Sequence, residues 1–128
     1  MSKQIQFSGN WNNGHQEIIV NLAMIQFVED GTQIVYCPAL DITGYGKTEH
    51  EAKESFEVSL SEFFVYTLHK GTLFADMERL GWKIKKKGKP MDPPSMQQLL
   101  QNNDNFSRIF NNYPFHKFDK PVTIPAVA

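Results

Sequence analysis

The chain has 128 residues, 41% hydrophobic and 21% charged, which are the proportions of an ordinary globular domain and exclude wholesale disorder. A formal net charge of −1 excludes the global field of a nucleic-acid or membrane binder, so any electrostatic function has to come from local clustering. A single cysteine, Cys37, excludes an intramolecular disulfide; with no apolar run behind Lys3 and no stretch of ~18 apolar residues, the expectation is a cytoplasmic protein without a signal or span.

Residues 1–15 are polar and rich in Asn and Gly, and read as an irregular arm or a short edge strand. From Glu17 to Glu29, Ile18, Val20, Leu22, Met24 and Gln26 point one way and Ile19, Asn21, Ala23, Ile25 and Phe27 the other. Both faces are largely apolar, so this strand is expected to be central and covered on each side. Asp30-Gly31 signals a hairpin, Gln33 to Cys37 a second strand ended by Pro38, and Asp41 to Gly46 a third, with Gly44 and Gly46 relaxing its backbone.

The period then changes to that of a helix. Thr48 followed by Glu51 is a capping-box pattern, and Gly71 stands where a C-cap belongs. Between them Ala52, Phe56, Ser59, Leu60, Phe63 and Tyr66 are expected on the buried side, with Glu51, Glu54, Glu57 and Glu62 opposite. Phe64 and Leu68 widen the apolar arc, while Val58 and Val65 interrupt the acidic face; the expectation is that they pack under a neighbouring element, and the sharper reading makes them a partner surface.

A short helical turn over Thr72 to Leu80 and a strand over Trp82 to Lys85 follow, the latter with Trp82 and Ile84 facing in. KKKGKPMDPP reads as a basic linker, and Ser95 as the cap of a helix through Met96, Leu99 and Leu100. The many aromatics between Gln101 and Ala128 imply a tail that folds back or docks on a second subunit. The chain thus divides into an α+β domain over residues 1–89 and a C-terminal extension over residues 90–128, with a short helix and an extended tail.

Catalytic machinery is not visible. His15, His50, His69 and His116 have no zinc-ligand spacing, and nothing local lowers the pKa of Cys37, which reads as a structural thiol. The first strand's centre, VNLAMI, lacks the acid that a two-metal nuclease needs, and no phosphate-cradling glycine loop is present. The expectation is a binding protein, not an enzyme, with no cofactor and no metal. Lys83, Lys85, Lys86, Lys87 and Lys89, beside Trp82, form the one basic run and are the candidate phosphate contacts.

The segment YCPALDITGYGKTEHEAKESFEVSL resembles the core of HicB-like antitoxins through Tyr36, Pro38, Gly44, Gly46, Thr48, Glu51 and Ala52. The resemblance implies a three- to four-stranded antiparallel sheet packed against one long helix, a truncated relative of the RNase H fold without its active site. It further implies an oligomeric antitoxin that masks a small basic HicA-like toxin and so blocks mRNA cleavage. Tyr36, Pro38, Asp41, Tyr45, Glu51, Glu54, Glu57 and Glu62 are then the candidate partner-binding residues, and Phe64, Leu68, Phe106 and Phe110 the candidate oligomerisation residues. Ala39 to Thr43 depart from the family's usual acidic and Pro-Gly elements. Residues 90–128 show neither a ribbon-helix-helix nor a helix-turn-helix and hold one arginine, Arg108, so direct DNA binding is not supported. Two alternatives stand beside this reading: a homo-oligomeric scaffold or regulatory module without a toxin, and a nucleic-acid binder using Lys83 to Lys89.

Overall fold

One long strand organises the molecule. In the computed structural model, which describes residues 5–12, 15–84 and 91–127, β2 runs over His15–Glu29. Its Ile18, Val20, Leu22 and Met24 enter one core, while Ile25 and Phe27 enter a second core on the opposite face. Asp30 and Gly31, at φ +51° and +77°, form the tight turn that this pair favours. The chain returns as β3 (Thr32–Cys37), antiparallel to β2, and continues as β4 (Ile42–Gly46), antiparallel to β3.

Both ends of the chain join this meander. β1 (Ile5–Asn12) pairs antiparallel with the start of β2, with a register shift between Ser8 and Asn12. β5 (His116–Val127) pairs antiparallel with β2 in one unbroken register from His116↔Gln26 to Val127↔His15. Ile18 pairs with both β1 and β5, and Ile25 with both β3 and β5. A strand has two edges, so β5 holds one edge of β2 while β1 and β3 share the other. The α+β class is therefore that expected, and the sheet has five strands, the fifth made from the aromatic-rich tail folding back on its own chain.

Two of the outer strands, β5 and β4, carry features that disfavour addition of a further strand. Proline has no N–H, so Pro121 and Pro125 can sit within a paired strand only where amides turn away from the neighbour; there they remove donors from the outer row of β5. On β4 the Tyr45 N–H donates to Ser55 Oγ (3.1 Å), and just past the strand the Lys47 N–H donates to Glu51 Oε1 (2.8 Å), so side chains of the following helix occupy one outer donor of β4 and the first beyond it.

That helix, α1 (Glu49–Lys70), starts where Thr48 Oγ1 accepts from the Glu51 N–H (3.1 Å) and ends at Gly71 in the left-handed conformation, φ +70°. Gly44 and Gly46 let it lie directly on β4. A Cβ at Gly44 would overlap the Ala52 carbonyl oxygen and the Phe56 amide nitrogen, so contact between helix and strand is backbone to backbone. The glycines thus serve close approach, where the sequence suggested only a relaxed strand. Ala52, Phe56, Leu60 and Thr67 form the buried line, and Tyr66, expected there, is exposed. Thr67 Oγ1 donates to the Phe63 carbonyl (2.7 Å), which satisfies its buried hydroxyl.

α2 (Leu73–Arg79) adds Leu73 and Met77 to the α1-side core, which also holds Trp82, Met91, Val122 and Ile124. Trp82 Nε1 donates to the Ala39 carbonyl (2.7 Å), tying the segment after α2 to the β3–β4 turn. The strand expected over Trp82 to Lys85 appears as an isolated antiparallel bridge between Lys83 and Asp92; Lys85 lies outside the described residues. α3 (Met96–Asn102), with the Ser95/Gln98 capping box, and α4 (Asp104–Asn112) cover the opposite face through Leu99, Phe106 and Ile109. The result is a helix–sheet–helix sandwich. Among the described residues no helix is long and apolar enough to cross a membrane.

Candidate partner-binding surface

The candidate residues separate into buried and exposed sets. Tyr36 is fully buried beneath α4: its hydroxyl donates to Asp41 Oδ1 (2.5 Å) and accepts from Asn103 Nδ2 (2.8 Å). Burial, then the Asp41 hydrogen bond, raises its pKa well above the usual phenol value. Pro38 is buried as well. Neither is exposed as the sequence suggested: α3 and α4 cover the ground that a bare meander would leave open, and Pro38 lines the cleft beside Asp41. Phe106, expected to serve oligomerisation, is likewise buried, with its ring 5.9 Å from that of Phe110. Phe64 is half-buried against the α1-side core, while Leu68 and Phe110 remain exposed.

Cys37 lies in the same strand and is wholly buried; removal from water pushes its thiol from 9.0 up to about 12. A thiolate is thus disfavoured where a nucleophile would need one. Because the folded-state pKa is raised, this group's contribution is fully present below pH 9 and is lost as pH climbs toward 12, since the unfolded chain releases the proton first. Urea titrations should therefore show stability falling from about pH 9 upward, at up to ~1.4 kcal/mol per pH unit from this group. The slope between pH 9 and 10 should flatten in Cys37→Ala, and an unchanged slope would contradict the assignment.

The remaining candidates are exposed. Asp41, in the left-handed region at φ +55°, sits at the β3–β4 turn, and Tyr45 stands on β4 beside α4. A polar cleft of about 470 Å³ near Asp41 is lined also by Arg79, Gln98, Asn102, Asn103 and Asp104. Among the described residues no three His, Cys, Asp or Glu side chains come together as a metal site.

The acidic side chains of α1 do several different things. Glu51 bonds the Lys47 amide, Glu57 turns toward β5 to meet Lys120 (2.5 Å), and Glu54 lies 3.5 Å from His50. Glu62 is exposed on the outward side. Between these acids lie Val58, 59% exposed, and Val65, 66% exposed, flanked by Leu68 at 37% and Tyr66 at 60%. Seven residues are nearly two helical turns, so Val58 and Val65 stand one above the other, opposite the buried line of Phe56, Leu60 and Thr67. The neighbouring element expected to cover the two valines is not there among the described residues, and α1 carries an apolar ridge in water. The i, i+7 spacing inside an acidic face was the signal in the sequence.

Lys83 is exposed, with its backbone bonded to Asp92 in both directions. Lys85, Lys86, Lys87 and Lys89 lie outside the described residues. The phosphate-contact expectation is therefore represented by one side chain. No family model, no curated protein and no solved structure matches the chain.

Proposed function

We propose that the protein is a non-catalytic binding module of HicB-like type that captures a small basic protein, in the manner of an antitoxin masking an mRNA-cleaving toxin. The observation that carries this reading is the outward ridge of α1, where Val58 and Val65 stand exposed among Glu51, Glu54 and Glu62. An apolar centre with an acidic surround is the pattern that steers a basic partner in and then excludes water from the contact. The β2–β3–β4 meander followed by α1, with Gly44 and Gly46 under the helix, supports it as the arrangement that the resemblance implies.

Affinity purification of the tagged chain from its native cells tests the reading. The expected result is a stoichiometric basic protein released by high salt, with recovery lost in Glu54→Lys/Glu62→Lys. A basic protein retained equally by that variant, or none at all, would overturn the assignment of the ridge.

A further inference from the structure

The core line of β2 ends in an amide. Alternation carries Ile18, Val20, Leu22 and Met24 into the α1-side core, and the next residue on that face is Gln26, 8% exposed. Its side chain bonds to no other described residue. Among those residues no side-chain polar atom is both sealed from solvent and unbonded, so the amide reaches open space, and that space is a cleft of about 780 Å³ which Gln26 lines. A buried amide without a protein partner forfeits the bonds that water would give it, and leucine would serve packing alone better.

The other walls of the cleft carry complementary chemistry. His116 of β5 pairs with Gln26 across the sheet, and Phe118, two residues on, shares its face. Their rings lie 23° from parallel with centroids 6.3 Å apart. Over them stand Glu49 and Lys53 of α1, four residues apart and so neighbours on the helix, with the Lys53 ammonium 5.1 Å from the centre of the Phe118 ring. The cleft thus joins a bare amide, two flat rings, a carboxylate and an ammonium.

We propose that this cleft binds an adenine nucleotide. The Gln26 amide presents a donor beside an acceptor: it donates to N7 of the base and accepts from the N6 amino group. Guanine offers two acceptors on the same edge and leaves the amide oxygen unmatched. The exposed ring of His116 supplies a flat face for the base, Glu49 accepts from the ribose hydroxyls and Lys53 meets the phosphate. The site lies apart from the Val58 and Val65 ridge and goes beyond the partner reading, so the failure of either leaves the other standing.

Titration of the full chain with adenosine 5′-monophosphate, followed by the ring-proton NMR signals of His116 and Phe118, should saturate with a Kd of ~1 mM or below, and guanosine 5′-monophosphate should bind about tenfold more weakly. Gln26→Leu, of similar size, should weaken the adenine nucleotide about tenfold while its urea midpoint stays at or above the parent's. Lys53→Met, at an exposed position, should bring the nucleotide down to the affinity of adenosine and leave adenosine itself unchanged. The dinucleotide pApA carries the same head: affinity equal to that of the mononucleotide supports the site and assigns the free nucleotide, and about tenfold tighter binding supports it and assigns the 5′ end of an RNA. No saturation below ~10 mM, equal affinity for the adenine and guanine nucleotides, or Gln26→Leu binding as the parent does would each overturn the proposal.

Discussion

A chain ending at Pro114 is expected to lose its cooperative unfolding transition. Truncation there removes β5, the partner of β2 along the whole of His15 to Gln26. Val122 and Ile124 leave the α1-side core, and half-buried Phe118, over whose ring Lys53 sits at 5.1 Å, goes with them. Each fully buried aliphatic side chain contributes ~1.5–3 kcal/mol. To that is added an open edge on the central strand, with its amides bared beside an apolar face. Against a total stability of ~5–15 kcal/mol, that combined loss is enough to unfold the domain. Circular dichroism in urea should show a sloping, non-sigmoidal curve for the truncated chain; a two-state transition with only a lowered midpoint would show that the meander and α1 fold alone.

The second large effect is expected at Gly44. Replacement by valine drives Cβ into the backbone of α1 at Ala52 and Phe56, and backbone cannot swing aside as a long side chain does. The helix must lift from β4, opening the core where Ala52 and Phe56 are now almost wholly buried. A loss of ~3 kcal/mol or more should follow, from chemical denaturation of the full chain. Val58→Ala, on the exposed side of the same helix, should change stability by no more than ~0.5 kcal/mol. A loss below ~1 kcal/mol at Gly44 would mean that α1 does not rest on β4 as described.

What the sequence disclosed was local. Alternation from Ile18 to Phe27 revealed a strand buried on both faces, and the Asp-Gly turn, the Thr48 and Ser95 caps and Gly71 all stand where side-chain chemistry put them. What it concealed depends on distant neighbours. HKFDKPVTIPAV reads only as an extended tail that folds back or docks, because its pairing partner lies about a hundred residues away; its two prolines are tolerated there on an outer edge. The burial of Tyr36 follows from Asn103 and α4, some 67 positions away in the chain, and no local pattern announces it. Tyr66 and Thr67 were exchanged for a simpler reason. Three turns of helix are about eleven residues, which sets Thr67, and not Tyr66, directly in line with Phe56. At the candidate site the acidic face and its two intruding valines were legible, but their exposure was not, since a periodicity says which residues share a face and never what covers it.

The pairing of β2 with β5 also sets the order of events during synthesis. β2 is complete early, whereas the strand that shuts its open edge is translated some ninety residues later. At ~5–20 residues per second the nascent chain spends roughly 5–20 s with its central strand half-paired. Closure then requires an encounter across nearly the whole chain, the slow kind of contact that limits folding rates in proteins of high contact order. For this molecule the vulnerable species is therefore the unfinished chain on the ribosome, and holding that edge until residues 116–127 arrive is a task for whatever meets the polypeptide as it emerges.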